Sequence, residues 1–488
     1  MKFLKPFSLF IAFLFFSPVT AQPKDLVQEL WDSYKEFKEE SITHRRFQHE
    51  DIVPLIKRLE QNNNFTVNKV GESIEGRDLF LISVGSGEID VFLWSQMHGD
   101  ESTATMAIMD IFNFITSNRF SAEKNNLFKK LRLHFLPMLN PDGAEVFQRR
   151  NALGIDVNRD ALRLQSPEGK TLKRIRDSLD AQFGFNLHDQ SKYYNALGTA
   201  KPATISFLAP AYNFEKDVNE VRGNAMKVIV GMNEVLQLFA PGQVAKYNDD
   251  FEPRAFGDNI QKWGTSAILI ESGGFLEDPE KQEIRKLNFV AILSAVFSIA
   301  NEDYKQKELR DYNKIPENDS KLYDLKLTGL EYELLGEDYI LDVGINLQES
   351  GNKKRGFYSR ASIADLGDLS TNYGYKSHDV TGYKVKWGKV YPTTITSLDK
   401  LKTLDFQKLL SDGYTYVKVN NIPDNVHFTN HPVQVVKKDF KVPSRLEVGV
   451  NPTFLLEKEG VPKYAVINGF FYNIEKLETS SVNGLILR

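Results

Sequence analysis

Residues 91–110 read VFLWSQMHGDESTATMAIMD, a pattern that predicts a buried strand followed at once by a helix. The segment begins as an almost continuous apolar run, and after His98-Gly99-Asp100-Glu101 the apolar residues return at helical spacing. His98 and Glu101 therefore lie at the carboxyl end of a strand, where open α/β sheets bind their ligands. An imidazole and a carboxylate at this spacing supply two of the three protein ligands of a His₂Glu catalytic zinc site.

Strands alternate with long helices out to about residue 305. Apolar runs predict further strands at 79–84, 131–139, 183–187, 205–209 and 267–270. Helical patterns cover 24–64, 168–182, 213–239 and 278–302. This alternation predicts the α/β class, with a mixed, mostly parallel sheet and helices on both faces.

The pattern changes near residue 311, where a polar segment predicts a linker. Beyond it the chain has short alternating runs at 339–343, 382–386, 414–419, 433–436, 453–456 and 464–467. Such runs, separated by Asn, Gly, Pro and Asp, predict an all-β, sandwich-like C-terminal domain. The predicted organisation is therefore a catalytic domain over 22–310, a linker over 311–320 and a β-rich accessory domain over 321–488.

Composition excludes several classes of protein. The chain has 488 residues, a formal net charge of -4 and no long block of one sign, so nothing favours a nucleic-acid partner. It has no cysteine, which excludes thiol catalysis, thiolate zinc sites and disulfides.

The first 21 residues have the pattern of a secretory signal peptide. Lys2 and Lys5 precede an apolar segment over 7–16, and Val19-Thr20-Ala21 is a small-residue cleavage site. An uncleaved anchor is the alternative, but the apolar segment is short for a membrane span. No other segment is apolar over 18 residues, so we expect a secreted or periplasmic protein without a membrane span after signal removal.

Two further strand ends carry candidate catalytic residues. His188 directly follows the apolar run 183–187, which predicts a position at the same sheet edge as His98 and makes it the candidate third metal ligand. Glu271 ends the run 267–270, where a general base is expected beside a metal-bound water. The alternatives are a structural histidine for His188 and a helix-capping or loop carboxylate for Glu271.

Two arginine clusters lie between these candidates, at Arg149-Arg150 and at Arg159 within 156–160. Arginine binds carboxylates in a bidentate fork and stabilises an oxyanion. The alternative is that each cluster is simply a solvent-exposed run of charges, since charged side chains are mostly exposed.

The chain resembles, in chain order, the zinc carboxypeptidases of the carboxypeptidase A type (metallocarboxypeptidases) in six motifs: His98-x-x-Glu101, Asn140-Pro141-Asp142-Gly143, Arg149-x-Asn151, Asp156-x-Asn158-Arg159, His188 and Glu271. The stretch Ser73-x-Glu75-Gly76-Arg77 is also similar to that family, and the resemblance covers residues 50–300. It implies a carboxypeptidase-like, phosphorylase/hydrolase-like fold for this part of the chain.

The resemblance also implies a role for each matching residue. One Zn²⁺ per chain would be bound by His98, Glu101 and His188. Glu271 would deprotonate the zinc-bound water and pass the proton to the leaving amine, and Arg149, with Arg150 as the alternative, would stabilise the oxyanion. The remaining roles are binding of the substrate's C-terminal carboxylate by Asn158 and Arg159, orientation of His98 by Asp156, and lining of the adjacent subsite by Arg77.

The chain departs from the family pattern in three places. His188 is followed by Asp189-Gln190-Ser191 rather than by the family's usual Ser-Tyr-Ser. The mobile active-site tyrosine has no firm match, and Tyr247 is the nearest candidate by position. The residue that sets side-chain preference does not align within 251–259, so the preferred C-terminal residue stays open.

The sequence thus predicts an exported zinc metallocarboxypeptidase, a hydrolase of peptides with a free C-terminal carboxylate. One alternative is a zinc amidohydrolase acting on peptidoglycan stem peptides or N-acyl amino acids, which uses the same ligand set. Another is a catalytically silent binding protein. The β-rich domain is expected to stabilise the catalytic unit or to contact substrate, the cell wall or the cell surface.

Overall fold

The computed structural model describes residues 23–351, 357–477 and 483–488. The proposed signal peptide, residues 1–21, lies outside this part of the chain. Among the residues described, no helix is both long enough and apolar enough to cross a bilayer.

The first part of the chain alternates strands with helices. Its strands are β1 (Phe65–Glu72), β2 (Asp78–Gly85), β3 (Ile89–Ser95), β4 (Leu131–Leu136), β5 (Phe183–Asp189), β6 (Asn195–Ala196), β7 (Ile205–Leu208), β8 (Val244–Lys246), β9 (Ser266–Ser272) and β10 (Asn318–Asp319). Its helices are α1 (Pro23–Ser33), α2 (His49–Leu59), α3 (Thr103–Thr116), α4 (Ser121–Lys130), α5 (Pro141–Glu145), α6 (Pro167–Leu179), α7 (Glu220–Phe239), α8 (Phe256–Lys262), α9 (Gln282–Asn301) and α10 (Leu309–Tyr312).

The central sheet of this part is mixed and mostly parallel. Within the described chain it has eight strands in the order β1-β2-β4-β3-β5-β9-β7-β8. The pairs β3–β4, β3–β5, β5–β9 and β7–β8 are parallel, whereas β1–β2, β2–β4 and β7–β9 are antiparallel. The fold class predicted from the sequence is confirmed.

Both faces of the sheet are covered by helices. Successive residues of a strand point to opposite faces, so one strand contributes side chains to both cores. On β3, Val91 and Leu93 join the core formed with α3, α7 and α9, whereas Phe92 and Trp94 join the core formed with α6 and α8. A strand buried on both faces needs a continuous apolar run, which explains the composition of 91–94.

A buried ion pair ties the N-terminal segment to the core. The guanidinium of Arg285, on α9, donates to the carboxylate of Asp110, on α3, with an Nε–Oδ2 distance of 2.7 Å, and both side chains have no exposed surface. Arg285 also donates to the carbonyl oxygens of Glu39 and Ile42, and the hydroxyl of Tyr34 donates to Asp110. The segment between α1 and α2 is therefore fixed by buried charges.

The rest of the chain is rich in strands, as predicted. They are β11 (Leu322–Leu334), β12 (Glu337–Ser350), β13 (Tyr358–Gly367), β14 (Tyr373–Asp379), β15 (Lys384–Lys386), β16 (Lys389–Ile395), β17 (Tyr414–Val419), β18 (Phe428–Thr429), β19 (Gln434–Val436), β20 (Phe454–Lys458), β21 (Val461–Ile467), β22 (Phe470–Asn473) and β23 (Gly484–Leu487). They form one sheet ordered β13-β12-β11-β15-β20-β21-β22, to which β14 adds by pairing with β11, and another ordered β16-β17-β19-β23-β18. The sequence pattern did not predict helix α11 (Phe406–Ser411) or the parallel pairing of β16, β17 and β19.

The segment predicted as a linker packs against the first part of the chain. Its strand β10 pairs antiparallel with β6, and Glu317 forms a parallel β-bridge with Lys246, the last residue of β8. The division into domains remains a prediction. Backbone hydrogen bonds attach this segment to the part of the chain that contains the central sheet.

Candidate active site

Three buried side chains converge at the carboxyl ends of β3 and β5. His98 and Glu101 lie in the turn between β3 and α3, and His188 lies on β5. One ligand atom from each residue lies within 4.8 Å of the others. The Nδ1 atoms of His98 and His188 are 2.7 and 2.6 Å from the two carboxylate oxygens of Glu101. Two imidazole nitrogens and one carboxylate in this arrangement fit a zinc ion that keeps an open coordination position.

Electrostatics keep the ligand carboxylate charged. Burial raises the pKa of Glu101, but the neighbouring imidazoles of His98 and His188 outweigh this effect and lower it below its usual value. Burial lowers the pKa of His98, but the carboxylates of Glu101 and Asp156 outweigh burial and raise it to about 9. Burial lowers the pKa of His188. A deprotonated carboxylate is the form that a metal ion requires.

Asp156 binds the ring nitrogen of His98 that does not face Glu101. The Nε2 atom of His98 donates to Oδ1 of Asp156 at 3.0 Å, which leaves Nδ1 facing Glu101. The same Oδ1 accepts the backbone N–H of Asn158 at 3.0 Å. A carboxylate in this position fixes the tautomer and the ring orientation of a metal-binding histidine.

The two adjacent arginines differ in direction. Arg149 donates from Nε to Asp156 Oδ2 at 3.0 Å and from Nη1 to Glu101 Oε1 at 3.2 Å. Arg150 is exposed and donates to the carbonyl oxygen of Gly154 at 2.9 Å. Arg149 is therefore the member of the pair that contacts the convergent side chains.

Glu271 lies on the strand next to His188. Strand β9 pairs with β5 so that Glu271 and His188 are register partners, and the Glu271 side chain is buried. Burial, together with the negative charge of Glu101, raises the pKa of Glu271 well above its usual value. A carboxyl group with a raised pKa is suited to accept and release a proton near neutral pH.

Tyr247 follows β8 and lies near Glu271. Its backbone N–H donates to the carbonyl oxygen of Phe207 at 2.9 Å, and its ring meets the ring of Tyr194 edge-on at a centroid distance of 6.1 Å. Burial, and next the charge of Glu271, raise the pKa of Tyr247. The neutral form of the phenol is therefore favoured, and its hydroxyl interacts with Tyr194.

Asn158 and Arg159 lie at the edge of this cluster. Asn158 Nδ2 is 3.5 Å from His188 Nε2, and its Oδ1 accepts the backbone N–H of Phe256 at 2.9 Å. Arg159 donates to the carbonyl oxygen of Asn158 at 2.7 Å and lies 3.5 Å from Glu252, with its guanidinium partly exposed. An accessible guanidinium beside the buried centre is suited to a substrate carboxylate.

Arg77 contacts the neighbouring motif rather than the metal ligands. Its Nη1 atom donates to Asp142 Oδ1 at 2.7 Å and to Glu75 Oε2 at 2.5 Å. The hydroxyl of Ser73 also donates to Asp142, at 2.6 Å. These contacts join the loop 73–77 to helix α5, and the lining of a substrate subsite by Arg77 stays a prediction.

The motif Asn140-Pro141-Asp142-Gly143 begins helix α5. Asn140 caps the helix by accepting the backbone N–H of Gly143 at 2.9 Å, and its amide nitrogen donates to the carbonyl oxygens of Met97 and Arg149. A Cβ atom on Gly99 would lie 2.0 Å from the carbonyl carbon of Gly143. The two motifs are therefore in direct backbone contact.

A buried salt bridge that the sequence did not reveal joins the ends of β5 and β9. Lys281 donates from Nζ to Asp189 Oδ2 at 2.9 Å and to the carbonyl oxygen of Ser272 at 2.8 Å. Asp189 and Ser272 directly follow His188 and Glu271. The departure at Asp189 was visible in the sequence, but Lys281 belongs to no motif and gave no signal.

Part of this chain is similar to known proteins. Residues 52–192 match the family model described as zinc carboxypeptidase. Carboxypeptidase SOL1 of Arabidopsis thaliana is 29% identical over 175 residues, which cover 30% of this chain and 35% of that protein. Carboxypeptidase M of Mus musculus is 28% identical over 134 residues, which cover 23% of this chain and 30% of that protein.

Among solved structures, a metallo-carboxypeptidase from Burkholderia cenocepacia aligns with a TM-score of 0.43 and 16% identity, covering 53% of this chain and 70% of that one. The chain spans about a third of the length of the two curated relatives. The resemblance predicted from the motifs is confirmed over residues 52–192, which include His98, Glu101 and His188, whereas Tyr247 and Glu271 lie beyond the matched segment.

Proposed function

We propose that this chain, whose residues 52–192 match the family model described as zinc carboxypeptidase, is a metallocarboxypeptidase that removes single residues from the C-terminus of peptides. The observation that carries the proposal is the convergence of His98, Glu101 and His188, with ligand atoms within 4.8 Å of one another, beside the buried carboxyl group of Glu271. Three metal ligands and an adjacent base are the parts that metal-assisted hydrolysis requires.

The metal site uses donors from two strand ends. His98, Glu101 and His188 would hold one Zn²⁺, and Asp156 would keep the His98 ring in the orientation that its hydrogen bond sets. When bound, zinc would lower the pKa of a water molecule and polarise the scissile carbonyl group.

Two side chains would transfer the proton of the attacking water and stabilise the negative charge of the oxyanion. Glu271, whose pKa is raised by burial, takes the proton of the attacking water and delivers it to the leaving amine. Arg149, which already lies beside Glu101 and Asp156, would donate hydrogen bonds to the negative charge that develops on the oxygen of the scissile carbonyl group.

The substrate is a peptide with a free C-terminal carboxylate. Arg159, together with the amide of Asn158, binds that carboxylate at the exposed edge of the site. The rings of Tyr247 and Tyr194 line the side of the site next to Glu271, and Arg77 lines the adjacent subsite. The sequence pattern of residues 1–21 supports action outside the cytoplasm, and the β-rich region is available for contact with the cell wall or cell surface.

The decisive experiment treats the purified, zinc-loaded protein with a peptide mixture in which each free-acid peptide has a C-terminally amidated counterpart, together with peptidoglycan stem peptides. Mass spectrometry is expected to show loss of one C-terminal residue from the free acids alone. Glu271→Gln should reduce kcat by about 10²- to 10⁴-fold while zinc stays bound. Cleavage confined to stem peptides would indicate an amidohydrolase instead, and no turnover at all would reject the proposal.

A further inference from the structure

The loop that follows His188 is held by the β-rich region. Asp324, on β11, accepts the ammonium group of Lys192 at 2.7 Å on Oδ1 and the hydroxyl of Tyr193 at 2.7 Å on Oδ2. The Asp324 side chain is only 14% exposed. A single carboxylate of the β-rich region therefore binds two consecutive residues of a loop that starts at a proposed metal ligand.

Asp324 is also fixed within its own sheet. Its Oδ2 atom accepts the backbone N–H of Leu347, on β12, at 2.6 Å. Burial and the charge of Asp324 raise the pKa of Tyr193, so the phenol keeps the proton that it donates. Removal of this carboxylate would leave the backbone N–H of Leu347 without its acceptor, which is the costly way to lose a hydrogen bond. The Tyr193 hydroxyl would keep only the carbonyl oxygen of Leu347, at 3.1 Å.

Other contacts fix the same loop. The backbone N–H of Leu322 donates to the carbonyl oxygen of Tyr193 at 3.2 Å, and β10 pairs with β6 just beyond. The hydroxyl of Tyr375, on β14, donates to the carbonyl oxygen of Lys192. A Cβ atom on Gly274 would lie 2.2 Å from that hydroxyl oxygen, so β14 also packs closely against the segment that follows Glu271.

The loop in turn contacts groups that adjoin the proposed base. Tyr194, the residue after Tyr193, meets Tyr247 edge-on at 6.1 Å, and the charge of Glu271 acts on Tyr247. The backbone N–H of Gln190 donates to the carbonyl oxygen of Ser272, the residue after Glu271, at 3.0 Å. Movement of the loop would therefore displace the aromatic wall of the site and one neighbour of Glu271.

We propose that Asp324 is a positioning residue for the peptidase reaction. By binding Lys192 and Tyr193 it fixes residues 190–196, so that Tyr194 and Tyr247 stay packed beside Glu271. The β-rich region is then a part of the active site and not a separable accessory module. This inference rests on the proposed function for its effect on turnover, but the effect on the loop is independent of it.

The test compares Asp324→Asn and Asp324→Ala in the full chain with Asp342→Asn. Asp342 is a matched control because it lies in the same sheet, on β12, and accepts the backbone N–H groups of Gly329 and Leu369 at 3.1 and 3.3 Å. We expect kcat/KM on a free-acid peptide to fall by about 10- to 100-fold for Asp324→Ala and less for Asp324→Asn, mainly through kcat. Zinc content should be unchanged, and Asp342→Asn should stay within about 2-fold of the wild type.

Hydrogen exchange gives the readout that does not depend on turnover. Amides of residues 190–196 should exchange faster in both Asp324 variants, whereas Asp342→Asn should leave this segment protected. Where Asp324→Ala does not fold, Tyr193→Phe replaces it, because it removes the hydroxyl from the same hydrogen bond.

Unchanged kcat/KM in the Asp324 variants, or an equal loss in Asp342→Asn, would overturn the positioning role. A wild type without peptidase activity would instead reject the proposed function, and loop exchange would then decide whether Asp324 fixes the loop. Unchanged exchange of 190–196 in the Asp324 variants would overturn the inference in either case.

Discussion

His188 and Glu271 are register partners on the neighbouring parallel strands β5 and β9. Paired positions on adjacent strands direct their side chains to the same face of a sheet. Strand β3, which leads into His98, lies on the other side of β5. The distance between a proposed metal ligand and the proposed base is therefore set by strand pairing, which is more rigid than a loop.

Replacement of His188 by Ala is expected to remove the metal. The variant loses one of two imidazole ligands, so zinc content, measured on the purified protein by elemental analysis, should fall from about one ion per chain to near zero. His134→Ala is the matched control, since His134 is a buried strand histidine that bonds to Asp90 and Ser83. Retention of full zinc by His188→Ala would contradict the assigned ligand set.

The neighbouring arginines give a second test. Arg149→Ala should reduce kcat by about 10²- to 10³-fold, because it removes a donor to the oxyanion. Arg150→Ala, which removes only the exposed contact with Gly154, should change kcat by less than about 3-fold. Steady-state kinetics on one free-acid peptide separates the two, and similar losses in both variants would argue against the role of Arg149.

The buried pair between Arg285 and Asp110 should control stability. Arg285→Met leaves a buried carboxylate unpaired, and we expect the free energy of unfolding in urea to fall by about 3–5 kcal/mol. Lys408→Met is the control, because its ion pair with Asp412 is exposed at a short helix and should contribute little to stability. If the two substitutions lowered the free energy of unfolding equally, burial of the Arg285–Asp110 pair would not be the reason for its contribution to stability.

A pH dependence of stability should come from Asp258, on α8. Burial raises the pKa of this carboxyl group to about 7, although the backbone N–H of Glu252 donates to it at 3.0 Å. An unfolded aspartate has a pKa of about 3.9, so between that value and 7 the native state keeps a proton that the unfolded state has lost. The contribution of Asp258 is therefore fully present below about pH 4 and is lost as the pH rises to 7.

Asp258→Asn should remove this dependence, since the amide keeps an acceptor and carries no charge. Between about pH 5 and pH 8 the variant should gain about 2–3 kcal/mol of unfolding free energy relative to the wild type, measured by urea titration at each pH. Unfolding free energies that change in parallel for the two proteins would exclude Asp258 as the source.

Much of the fold was predictable because the inner strands of the central sheet, such as β3, β5 and β9, are short, buried apolar runs. His98, His188 and Glu271 were found for the same reason, since each follows or ends such a run and strand ends meet at one edge of a parallel sheet. Pattern alone therefore identified residues distant in sequence as one cluster.

Other features depend on contacts that a local pattern does not encode. The pairing of Lys281 with Asp189, and of Asp324 with Lys192 and Tyr193, joins residues far apart in the chain that belong to no periodic motif. The structure was also needed to decide whether Arg149 or Arg150 faces the site. In an irregular segment, the sequence does not fix the directions in which adjacent side chains point. The short strands and the short helix α11 of the β-rich region were too short to show a periodic pattern in the sequence.

The backbone contact between Gly99 and Gly143 has a consequence for how this chain tolerates change. Because a methyl group at Gly99 would overlap the main chain of Gly143, no side-chain rearrangement nearby creates the missing space. A substitution at Gly99 must therefore push the turn that bears His98 away from helix α5. A Cβ on Gly143 would instead meet the capping amide of Asn140, which also holds the carbonyl of Arg149, and the carbonyl oxygens of Gln148 and Arg150. Gly99 and Gly143 carry no reactive group, yet we expect a mutational scan to score replacements at both positions as damaging.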